Sequence, residues 1–161
     1  MRRTLFSCLA GLAALFFFQN VGESAVKNSI ETRFATIHYN DEEELRNFFW
    51  RITGQRVTLA DSTDLVKNRV DELVERVETT LEMYPAKLHF FITFKERYTQ
   101  ETIAEYSHAT RTILVALDRV TDGVLAHEMA HAVMNAYFPV PPPEKAQEIL
   151  AQYVDAHLYN L

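Results

Sequence analysis

Hydrophobic positions along this chain recur at two different spacings, and the switches between them mark out helices and strands. Between Asp64 and Tyr84, Val66, Val70, Leu73, Val77, Leu81 and Tyr84 follow one another at steps of three and four. That is the period of one helix face, and Pro85 is read as its end. Leu45, Phe48, Phe49 and Ile52 repeat the spacing behind Asn40-Asp41, a good helix cap, with Gly54 as the stop. Glu31 to Tyr39 is β-prone instead. Leu88 to Phe94 reads as a strand with one strongly apolar face, and Thr110 to Leu117 as a second strong strand. The polar stretch 96–108 between them reads as a short helix and loop.

Thr121-Asp122-Gly123 then leads into an apolar helical run, Val124 to Met134. Pro139-Val140-Pro141-Pro142-Pro143 breaks the chain, and Pro143 can occupy the first turn of a new helix, Glu144 to Asp155. In that helix Ala146, Ile149, Leu150, Tyr153 and Val154 form an apolar stripe. The order β-α-α-β-(loop or helix)-β-α-α describes an α+β domain, a small mixed sheet packed against helices. Residues 110–117, which immediately precede the apolar helix, are expected to form the strand along its cleft. An extended peptide could add to such a strand through backbone hydrogen bonds.

The apolar helix carries the chain's sharpest chemical signal, His127-Glu128-Met129-Ala130-His131. Residues i and i+4 share a helix face, so both imidazoles can point at one ion. A glutamate on a helix this apolar costs several kcal/mol unless it is paired or metal-linked. Two histidines, a third ligand and one open position are what a catalytic zinc ion needs. The candidates for the third ligand lie on the following helix: Glu144, Glu148 and Asp155. Glu144 falls in the first turn, where the helix dipole favours an acid for structural reasons alone. Glu148 adjoins the apolar stripe and is preferred, whereas Asp155 lies two turns further on and is expected to miss the ion.

With Gln147-Glu148-Ile149-Leu150-Ala151-Gln152-Tyr153 downstream, the H-E-x-x-H run resembles the paired-helix signature of the gluzincin zinc metallopeptidases. The resemblance covers roughly the last forty residues. It implies a zincin-like catalytic domain with Zn2+ bound by His127, His131 and Glu148, and Glu128 as general base. Many gluzincins carry an aspartate four residues after the ligand glutamate, where it orients one histidine. Here that position is Gln152, whose amide could accept an imidazole N–H but adds no charge.

The N-terminus changes the count of residues available to the domain. Arg2-Arg3, the apolar run Leu5 to Phe18 and the small pair Gly22 and Ser24 fit a secretory signal over residues 1–24. The run is too short for a comfortable membrane span. Residues 25–161 are then a single domain, expected outside the cytoplasm, periplasmic or secreted, with no stable membrane span once the leader is removed. An uncleaved anchor is the alternative. The only cysteine, Cys8, leaves with the leader, so no disulfide staples the mature chain. Without Arg2, Arg3 and Glu23, 14 basic residues face 21 acidic ones. That balance, with no basic stripe, makes nucleic acid and anionic membrane poor partners; a peptide or protein substrate is what the gluzincin resemblance implies.

The function so implied is zinc-dependent hydrolysis of peptide bonds, with Glu128 passing a proton from the attacking water to the leaving amine. Such enzymes also use a Tyr or His to stabilise the oxyanion. Tyr106, His108, Tyr137, His157 and Tyr159 are the candidates. The competing expectation is a catalytically inert zinc-binding module of the same fold that binds or regulates. His38, His89 and Trp50 read as structural residues.

Overall fold

The computed structural model describes residues 28–56, 62–95 and 102–160. The leader, with Cys8, Gly22 and Ser24, lies outside the described residues, as do 96–101 of the polar stretch. Nine elements follow in chain order: β1 (Asn28–Glu31), β2 (Ala35–Tyr39), α1 (Glu42–Thr53), α2 (Ser62–Leu81), β3 (Phe90–Phe94), β4 (Ala104–Ser107), β5 (Thr112–Val115), α3 (Asp122–Tyr137) and α4 (Glu144–His157). The five strands form one mixed sheet in the order β1-β2-β3-β5-β4. β2, β3 and β5 run parallel, while β1 and β4 are antiparallel edges. The α+β expectation therefore holds as a five-stranded mixed sheet with four helices.

Register explains which face is dry. Ile30, Ile37, Ile92 and Ile113 are partners in successive pairs, a row of isoleucines that ends on Tyr106 at the β4 edge. With Ala35, Phe90, Phe94, Ala104 and Val115 they make one buried face, because side chains alternate along each strand. Helices cover that face. Phe48 of α1 meets Phe94 of β3 with ring centroids 5.0 Å apart, and Val66, Val70, Leu73 and Val77 of α2 are fully buried.

Helix ends follow their local chemistry. Asp41 caps α1 by accepting from the Glu44 N–H at 3.0 Å. Gly54 ends that helix in the left-handed region at φ 70°, where a residue without Cβ is least strained. Thr121 caps α3 through its hydroxyl, which accepts from the Val124 N–H.

Several sequence expectations need correction. The β-prone segment 31–39 is not one strand: it holds the last residue of β1, a turn and β2, which pairs antiparallel with β1. α2 stops at Leu81, before Pro85, where Glu82 turns left-handed at φ 53° and Tyr84 is left 61% exposed. Residues 104–107, read as part of a helix and loop, form β4. Pro143 sits at the N-cap of α4 rather than inside its first turn. The expected stripe on α4 holds only in part: Val154 is buried and Leu150 packs on the core, but Ile149 and Tyr153 are exposed. The buried face runs through Ala151 and Val154 to Leu158 at the C-cap, positions three and four apart. Trp50 is half-buried, with Arg51 and Arg56 over its ring at 4.7 and 5.5 Å. Among the described residues, no helix is long and apolar enough to cross a membrane.

Candidate metal centre

α3 is buried on most of its circumference: Leu125, Ala126, Met129, Ala130, Ala132, Val133 and Met134 are in the core. The remaining stripe, His127, Glu128, His131 and Asn135, faces a cavity of about 530 Å3. α4 folds back against α3, so its early residues meet the later of the two histidines and its late residues the earlier one. One oxygen of Glu148 lies 3.2 Å from His131 Nε2, and the other lies 3.6 Å from His127 Nε2. Ligand atoms of His127, His131 and Glu148 all fall within 4.8 Å of one another.

The outer ring nitrogens are also engaged. His127 Nδ1 is 3.0 Å from Asp155 Oδ2, and His131 Nδ1 is 3.4 Å from Gln147 Oε1. Both partners are acceptors, so each Nδ1–H can donate to its partner, which leaves each Nε2 as the ring atom facing the Glu148 carboxylate. Two imidazole nitrogens and a carboxylate oxygen thus converge on one point, a donor set that could hold a cation. Two imidazoles and a carboxylate are donors that suit zinc. Gln147 is held in turn, its amide donating to Pro142 O at 2.8 Å and its oxygen accepting from Asn135 Nδ2 at 3.2 Å.

Glu128 stands beside these groups without joining them. Its Oε2 accepts the Tyr106 backbone N–H at 2.7 Å. That N–H is available because β4 is the sheet edge and pairs with β5 on its other side. Burial pushes the Glu128 carboxyl above the ordinary carboxylate range, against the Tyr106 N–H and the charges of His131 and His127, which hold it down; Glu148 adds to the rise.

Most sequence candidates have definite places. His127, His131 and Glu148 come together as expected, and Glu144 lines the cavity mouth outside the triad. Asp155 is no ligand in this arrangement, yet it holds His127. The role expected of Gln152 is not seen: Gln152 is exposed, and its place is taken three residues later. Gln147 had been given no role. The cleft strand is β4, not residues 110–117, because β5 is enclosed between β3 and β4. Of the oxyanion candidates, Tyr106 and His108 line the cavity. Tyr137 is 46% exposed at the end of α3. His157 stacks on Tyr153, and Tyr159 binds Asp122 and Arg69 away from the cleft. His38 stacks on Phe91, and His89 precedes β3.

No protein-family model matches this chain, and no curated protein or solved structure matches it significantly.

Proposed function

We propose that this protein is a small zinc-dependent peptidase of the gluzincin type, with a zincin-like catalytic domain acting outside the cytoplasm. The convergence of His127, His131 and Glu148, with Glu128 held at their side, is the observation that carries the reading. A zinc ion bound there supplies an acidified water and polarises the scissile carbonyl.

The protein's own groups do the rest. The Tyr106 N–H fixes one oxygen of Glu128, leaving Oε1 free to take a proton from the attacking water and deliver it to the leaving amine. Burial makes that carboxylate a stronger base than an exposed one. Asp155 and Gln147 keep the imidazoles in the tautomer and orientation that binding requires. Tyr106 and His108, which line the same cavity, are the donors assigned to charge developing on the carbonyl oxygen. The edge of β4 offers backbone groups to an extended peptide. An inert zinc-binding module would not need a buried carboxylate held beside the triad by a backbone N–H.

The test is Glu128→Gln. The substitution keeps shape and ligands, so zinc content should match wild type while peptide hydrolysis falls by about 100-fold to 10,000-fold. Full activity in Glu128→Gln, measured with a quenched fluorescent peptide pool and abolished by chelator, would remove the assigned base.

A further inference from the structure

Beside the metal cleft lies a second cavity of about 240 Å3, and the two share Tyr106, His108 and Asn135 as walls. Their linings differ in charge. Glu105, Glu128, Glu144 and Glu148 line the larger cavity, whereas among the described residues no acid lines the smaller one. Lys87, His89, His108 and Arg111 line it instead, in a chain whose formal net charge is −6. His89 is already engaged, by Glu31 at 3.7 Å and the Thr36 hydroxyl at 3.2 Å. The Lys87 ammonium and the Arg111 guanidinium make no ion pair or side-chain hydrogen bond among the described residues.

The backbone adds a second observation. Arg111 closes the β4–β5 turn in the left-handed region at φ 53°, where glycine or asparagine is less strained. A long cation thus stands at a position whose conformation disfavours it. Its charge reaches Tyr106, on the wall between the two cavities. Two cations that line one cavity and have no partner among the described residues, next to a cleft rich in acid, suit an anionic group.

We propose that the smaller cavity is a subsite for a carboxylate of the bound peptide, paired with Lys87 and Arg111 to one side of the scissile bond. The carboxylate comes from an Asp or Glu side chain or from the chain terminus. The assignment of a peptide as the occupant rests on the peptidase reading; the charge preference does not depend on turnover.

The experiment separates the two. Fluorescein-labelled decapeptide pools, fixed as Glu, Gln or Lys at one position and ending in a free or amidated C-terminus, are titrated onto the zinc-loaded full-length chain carrying Glu128→Gln. Pools bearing the carboxylate should bind at least tenfold tighter than their neutral counterparts, and the margin should shrink as salt rises. A margin that follows Glu assigns a side chain, and one that follows the free terminus assigns the chain end. Adding Lys87→Gln and Arg111→Gln should erase it. Lys87→Glu with Arg111→Glu should transfer the preference to Lys, a gain that misfolding cannot produce. Equal binding of all pools, or a margin that survives the double substitution, overturns the subsite. Tight binding of acidic pools that the wild-type protein never cleaves would overturn the peptidase reading and leave the subsite standing.

Discussion

Asp155→Asn isolates the group that holds His127. The substitution keeps size and an acceptor oxygen and removes only the charge. In the structure Asp155 Oδ2 lies 3.0 Å from His127 Nδ1, and the carboxylate is 44% exposed. A hydrogen bond to a charged partner contributes about 1.5–3 kcal/mol when well formed. Solvent at a carboxylate this exposed screens the interaction, so the lower end applies. Zinc affinity should therefore fall roughly tenfold, the low end of the range for partners of metal-bound histidines. Competition against a chromophoric chelator at fixed pH and ionic strength measures it. Gln152→Ala is the control, since that side chain is exposed and the imidazole Nδ1 atoms are partnered by Asp155 and Gln147. Unchanged affinity in Asp155→Asn, or an equal loss in Gln152→Ala, would refute the role assigned to the pair.

Phe48→Ala removes a ring with no solvent exposure that joins α1 to β3, so urea unfolding should register a loss of about 3–5 kcal/mol. Glu78 on α2 is only 8% exposed, and burial raises its carboxyl pKa above the ordinary value. A carboxyl whose folded pKa exceeds its unfolded one favours folding most below the unfolded pKa. Stability is lost as pH rises from there through the folded value. Glu78→Gln should accordingly raise Tm at pH 7 and change it little at pH 4; a larger gain at pH 4 would contradict the sign.

The legible parts of the fold were those where spacing alone decides the outcome. Leu45, Phe48, Phe49 and Ile52 sit at helical steps between a capping Asp41 and a terminating Gly54, and every one of them is buried. The H-E-x-x-H face was legible for the same reason, since i and i+4 are neighbours on any helix. β4 was not, because an edge strand has few apolar positions to show: of Ala104-Glu105-Tyr106-Ser107 only Ala104 is buried. The cleft strand was misassigned because nearness in the chain to α3 does not fix a strand's place in the sheet. Asp155 lies outside the triad, as its distance from Glu148 along the helix suggests, but that distance hides its contact with His127. Yet i+7 returns to the same face, and the fold-back of α4 sets it opposite the earlier histidine, one turn from the later one. That spacing was visible; the direction of α4 against α3 was not.

The central claim is that three acceptors meet around one divalent ion. Elemental analysis of the purified protein, after dialysis against metal-free buffer, tests it most directly. About one zinc per chain is expected, falling well below that in separately folded His127→Ala and Glu148→Ala proteins. A folded wild-type protein that takes up no zinc, or that binds iron in its place, would contradict the account.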